Sequence, residues 1–139
     1  PNSPRAWNAS AEIHCNMGHS ETARKHAEHV IRISPRNPTH WVSYKEIAAA
    51  NLQAMRYQEA ADAARKALQL NSYYVPAHLI LAASCAHLGQ LEEAQAAIKR
   101  SLERNPKLTI TRLAELFPIA RYKNLDAFLD GLRKAGLPD

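Results

Sequence analysis

Residues 75–106 read Val-Pro-Ala-His-Leu-Ile-Leu-Ala-Ala-Ser-Cys-Ala-His-Leu-Gly-Gln-Leu-Glu-Glu-Ala-Gln-Ala-Ala-Ile-Lys-Arg-Ser-Leu-Glu-Arg-Asn-Pro. Apolar residues recur at helical spacing over about 75–88 and again over about 91–104, which predicts two helices. Gly89 stands between them, where a left-handed residue ends the first helix, and Pro106 stops the second. The stretch is therefore a helical hairpin.

The same pattern occurs twice more upstream. Trp7, Tyr44 and His78 fall in one column, Ala11, Ala48 and Ala82 in another, and Ala23, Ala60 and Ala94 in a third, with shifts of 37 and then 34 residues. Gly18, Met55 and Gly89 share the turn column, and Pro35, Ser72 and Pro106 close the units. Helices are predicted over about 5–17 and 20–33 in the first unit and 39–53 and 56–70 in the second. The alanine columns face each other, so paired helices can approach closely, while Trp7, Tyr44, Ile47, Leu81 and Ile98 are expected to fill the space between hairpins. The run Ile33-Ser34-Pro35-Arg36-Asn37-Pro38 supplies the extra residues of the longer interval and reads as a longer loop. A fixed period of this length means units that bury their apolar faces by stacking.

Trp7, Ala11, Ala23 and Pro35 in the first unit resemble the tetratricopeptide signature, W-x2-L-G-x2-Y…A-x3-F…A…P. So do Tyr44, Ile47, Ala48, Ala60 and Ala67 in the second and Leu81, Ala82, Gly89, Ala94 and Pro106 in the third. The departures are Ser10 for the first leucine, His14, Asn51 and Cys85 for the tyrosine, and Ser72 for a proline; the period stays intact. The resemblance covers about residues 5–106 and implies an all-α, right-handed superhelix of three hairpins, about 5–35, 39–72 and 75–106. Residues 107–139 add C-terminal capping helices to the same domain. Pro1 stands 34 residues before Pro35, where a preceding unit would end, so a longer parent array is expected.

Downstream, Ile110, Leu113, Ala114 and Phe117 predict a seventh helix ended by Pro118, placed where the next unit would begin. An eighth presents Leu125, Phe128, Leu129 and Leu132, with Asn124 as its cap, Asp126 in its first turn, Arg133 and Lys134 in its last, and Gly136 and Pro138 after it. Both are read as a cap over the last hairpin. The tail from Phe117 to Asp139 resembles the C-termini of bacterial multidomain proteins in which a class III adenylate/guanylate cyclase domain, or a winged-helix regulator, precedes a tetratricopeptide array. The runs 81–94 and 34–38 are similar too. That resemblance implies a regulatory or assembly module of a cytoplasmic signalling protein, with the catalytic residues outside this chain.

Composition narrows the function. Of 139 residues, 46% are apolar and 22% charged, and four glycines leave little material for phosphate loops. The formal charge is +5, yet residues 1–40 hold five basic and three acidic side chains, 41–106 seven and six, and 107–139 six and four. No stripe of Lys and Arg neutralises phosphates, so nucleic acid is not the expected partner. No run of about 18 apolar residues suits a membrane. Cys15 and Cys85 are isolated, which fits a reducing compartment.

Catalytic constellations are incomplete. His26 and His29 lie at i, i+3 with His19 seven residues before His26, a set short of a zinc site and read as solvent-facing. Cys15 follows His14 directly, but neighbours on a helix point about 100° apart, so His14 is no base for it. No cofactor is expected. The concave face is the working surface, lined by Asn8, Glu12 and Asn16, then Lys45, Ala49 and Gln53, then Leu79, Ala83 and His87, and turning from polar to apolar. Asn8, Glu12, Lys45 and Gln53 supply polar contacts and Leu79 and Ala83 an apolar floor for a protein or peptide, or for another domain of the parent chain. The family's carboxylate clamp is missing, since its columns hold Asn8, Glu12, Pro76 and Ile80. Two alternatives stay open: self-association through the edge at Trp7 or the cap, and coverage of Leu79, Ala83 and Ala86 by the chain's own C-terminal helices.

Overall fold

The computed structural model describes residues 3–116 and 122–139. Eight helices follow one another: α1 Pro4–Asn16, α2 Ser20–Ile33, α3 His40–Gln53, α4 Tyr57–Leu70, α5 Val75–His87, α6 Leu91–Arg104, α7 Ile110–Leu116 and α8 Leu125–Ala135. No strand occurs among the described residues.

The three hairpin turns are the same structure. Gly18, Met55 and Gly89 all adopt left-handed backbone, with φ of 80°, 60° and 79°. In each, the next N–H reaches back five residues: His19 to the His14 carbonyl, Arg56 to Asn51 and Gln90 to Cys85, at 2.8–2.9 Å. Such a cap satisfies carbonyls left over at a helix end. Met55 makes the turn without glycine, against the steric preference of a residue with a Cβ.

Close approach of paired helices follows from the alanine columns. Ala11, Ala23, Ala48, Ala60, Ala82 and Ala94 are all 0% exposed. Each first helix from α3 onward packs on the second helix of the preceding hairpin, α3 on α2 and α5 on α4. Trp7 and Tyr44 do not fill the space between hairpins as expected. Trp7 is half-buried within its own hairpin, edge-on to His26 and His29 at 4.8 and 4.7 Å, and the Tyr44 ring lies under Lys66 of α4. Ile98 and Leu81 are buried in the core. The longer first loop, residues 34–39, is held by Asn37, whose side-chain oxygen accepts from the Thr39 N–H and hydroxyl at 2.8 and 2.6 Å.

Of the two cap helices, α7 departs from the expected position, while α8 lies on the last hairpin. A fourth hairpin would lay its first helix on α6, but α7 packs on α8, and α8 packs across the concave side of α5. The fit requires Gly131: a Cβ there would stand 2.9 Å from the Ala83 carbonyl oxygen and 3.0 Å from its Cα. Asn124 does not cap α8 through its side chain; it is left-handed at φ 57° and donates its amide to the Gln53 carbonyl at 2.6 Å. His87 Nε2 lies 2.6 Å from the Ala127 carbonyl. The chain end closes back on α7, where the Ile110 N–H donates to the Pro138 carbonyl at 2.8 Å. Phe117 and Pro118, expected to end α7, lie outside the described residues.

Candidate functional site

The nine concave positions form three columns, Asn8–Lys45–Leu79, Glu12–Ala49–Ala83 and Asn16–Gln53–His87, because successive hairpins repeat the register. The structure does not treat them alike. Glu12, Asn16, Lys45, Ala49 and Leu79 line one cavity of about 280 Å³. Cys15, Glu46, Pro76 and Ile80 line it too, and Leu113, Leu116, Tyr122 and Phe128 close it from the cap side.

The other four positions are used by the fold. Asn8 is buried and accepts a hydrogen bond from the Ser43 hydroxyl at 2.9 Å, joining α1 to α3. Gln53 is 1% exposed and donates to the Cys15 carbonyl at 2.7 Å. Ala83 lies under Gly131, and the His87 ring stacks on Tyr57 at 4.4 Å while holding α8. The groove at Ala83 and His87 is therefore covered by α8.

Two charged side chains sit deep in the cavity wall. Lys45 Nζ donates to Glu46 Oε1 at 2.8 Å, with Glu46 only 2% exposed and Lys45 half-buried. The second carboxylate oxygen, Glu46 Oε2, is buried without a hydrogen-bond partner. Burial pushes the Glu46 carboxyl above its ordinary value, with Lys45 pulling the other way. Burial alone would lower Lys45, but Glu46, Tyr74 and Glu12 hold its ammonium above the usual lysine range. Glu12 is exposed at the same cavity.

Glu46 was not among the expected site residues. Its column holds Ala9 and Ile80 in the other hairpins, so a carboxylate in a column of apolar residues was the available signal. Tyr122 could not be found by the repeat, since it lies after the last unit. It is buried, which pushes its phenol up, and a hydrogen bond with Gln53 works the other way.

Both cysteines sit where burial disfavours the thiolate. Burial pushes the Cys15 thiol up to about 12, with Glu46 adding to the effect. His14 turns to His19, their Nδ1 atoms 3.3 Å apart. Burial pushes the Cys85 thiol to about 11. His26 and His29, read as solvent-facing, are half-buried against Trp7, with His26 Nδ1 2.9 Å from the Ser10 hydroxyl, while His19 is exposed. Among the described residues no three His, Cys, Asp or Glu side chains gather closely enough to hold a metal ion.

Two family models match, both tetratricopeptide repeat, over residues 4–37 and 51–116. None of the curated proteins compared with the chain matches it in sequence. Solved structures do match in fold. The Hsp90 co-chaperone Cns1 from Saccharomyces cerevisiae superposes with a TM-score of 0.71 at 16% identity, over 95% of this chain and 38% of that one. YrrB, described as a TPR protein with an unusual peptide-binding site, gives 0.64 at 15% identity, over 96% and 68%. The chain thus spans well under half the length of the co-chaperone it resembles, and at these identities the likeness is one of fold. Hairpin columns, repeated turn caps and both family models agree that this all-α chain is built of tetratricopeptide repeats.

Proposed function

We propose that the chain is a protein-binding module, and that a ligand segment enters the concave face at the cavity between Glu12, Lys45 and the cap helices. One observation carries this reading: α8 fills the groove along α5 yet leaves open a pocket of about 280 Å³ that combines apolar walls with buried polar groups. Binding pockets commonly have that composition. The peptide-binding site described for YrrB, one of the similar folds, supports a peptide as the ligand class. The docking of α8 supports treating residues 107–139 as one unit with the hairpins.

Panning a random octapeptide library against the chain, with Ala49→Phe as the counter-screen, tests the proposal. Ala49 lines the cavity, so the added ring fills it. Peptides should be held by the wild type and released by Ala49→Phe at unchanged helicity. Equal retention by both, or no enrichment, refutes it.

The resemblance of the C-terminal stretch supports a place beside a cyclase or winged-helix domain in a bacterial signalling protein. Reading the coding sequence upstream of Pro1 tests that context. The two buried, unbridged cysteines support a reducing compartment such as the cytoplasm.

Self-association is favoured by a different observation. Ala6, Ala9 and Ile13 form an exposed face of α1, although their counterparts Ser43, Glu46 and Ala50 in α3, and Ala77, Ile80 and Ser84 in α5, are buried. A further helix belongs on that face. Light scattering of wild type and Ile13→Glu distinguishes the cases: a dimer that the variant dissolves supports a second copy, and a monomer at high concentration excludes it.

A further inference from the structure

We propose that the ligand taken by this cavity is a segment carrying a basic side chain next to a large apolar one, with the cation paired to Glu46 and Glu12. The inference rests on the proposed peptide-binding role and goes further by assigning the charge of the ligand.

Three lining side chains are charged among the described residues, and two are carboxylates. The Lys45 ammonium is already engaged by Glu46 Oε1 at 2.8 Å. Its charge is thereby offset by the neighbouring carboxylate. Glu46 Oε2, by contrast, is buried in the wall with an unmet acceptor, and Glu12 adds a second carboxylate at the same cavity. A buried acceptor left unpaired is costly, and the cost is relieved by a donor brought in by a ligand. A cationic donor does this best, since charge-assisted hydrogen bonds are the stronger kind. The remaining walls are aliphatic or aromatic: Leu79, Ile80, Leu113, Leu116 and Phe128. They suit the stem of a Lys or Arg, or a neighbouring apolar side chain. An acidic ligand would bring a third carboxylate beside Glu12 and Glu46 with one ammonium to balance them.

Three octapeptide pools test the assignment. They are identical except at one fixed position, which holds Arg, norleucine or Glu; the other positions are randomised among Leu, Phe, Ile, Met, Ala and Ser. Each pool is captured by the chain and quantified by mass spectrometry. The Arg pool should be retained at least tenfold over the Glu pool and severalfold over norleucine. In Glu46→Gln, and separately in the exposed Glu12→Gln, which leaves the fold undisturbed, the preference for Arg over norleucine should shrink. Equal or greater retention of the Glu pool, or an Arg preference untouched by both variants, overturns the charge assignment while leaving peptide binding in place. Failure of all three pools to be retained overturns both.

Discussion

Gly131→Ala turns the position of α8 into a question of sign. A glycine inside an exposed helix is worse than alanine by about 0.5–1 kcal/mol, so a freely hanging α8 would be stabilised by the substitution. Docked on α5, the new methyl would meet the Ala83 carbonyl oxygen at 2.9 Å and its Cα and Cβ at 3.0 Å. Carbon–oxygen contacts settle at about 3.3 Å or more, so α8 must move by roughly 0.4 Å. Neither side can yield by rotating a side chain, because two of the three contacts are backbone. Overpacking of this kind costs about 1–3 kcal/mol. Set against the propensity gain, a net loss of about 1 kcal/mol is expected, or about 3 °C in melting temperature for a chain of this length. Gly131→Val should lose more. Urea denaturation followed by circular dichroism reads both. A stabilised Gly131→Ala would refute the docking of α8 against Ala83 and, with it, the covered end of the groove.

Met55→Gly should stabilise by about 0.5–1 kcal/mol, because left-handed backbone penalises a Cβ and the Met55 side chain is half-exposed; a thermal melt that falls instead contradicts the turn geometry. Ala94→Leu, at a fully buried column, should cost about 1–3 kcal/mol, whereas Ala96→Leu on the exposed face of the same helix stays within about 0.5 kcal/mol, as read by urea denaturation. His26 is held below its ordinary value by burial first and then by His14 and His29. A base depressed in the folded state favours folding above the unfolded value of about 6.5, and that contribution is lost as pH falls through the folded one. Wild-type stability should therefore drop between pH 7.5 and 5 by more than that of His26→Asn, and identical slopes would contradict it.

The parts of this fold legible in the sequence were those set by local chemistry repeated at a fixed interval. Ala11, Ala48 and Ala82 announced helix pairing, and Gly18 and Gly89 announced turns whose caps the structure repeats bond for bond. Position 55 was legible only through its neighbours in the column, since a methionine carries no turn signal of its own. Local rules failed where a tertiary partner outbid them. Asn124 has the chemistry of a helix cap, yet its amide reaches the Gln53 carbonyl 71 residues away. The landing site of α8 depended on one glycine fitting one alanine, a pairing that no periodicity encodes. Its hint was present all the same: Gly131 interrupts the apolar face made by Phe128, Leu129 and Leu132, where a small residue permits close approach to another backbone.

The placement of α8 changes what the concave surface can do, because the helix is both occupant and wall. It covers Ala83 through Gly131, removing part of the apolar floor that an empty superhelix would offer, while Leu79 still lines the cavity. It also contributes Phe128 to the cavity, beside Leu113 and Leu116 of α7. A ligand seated there touches hairpins and cap together, so its binding free energy adds to the docking of α8 rather than competing with it. If α8 were only a plug, loosening it through Gly131→Ala would raise peptide affinity by clearing the groove. As a wall, its loosening must lower affinity, since the cavity loses one side in the fraction of molecules where the cap is displaced. The place of Phe128 in the cavity lining favours the second outcome.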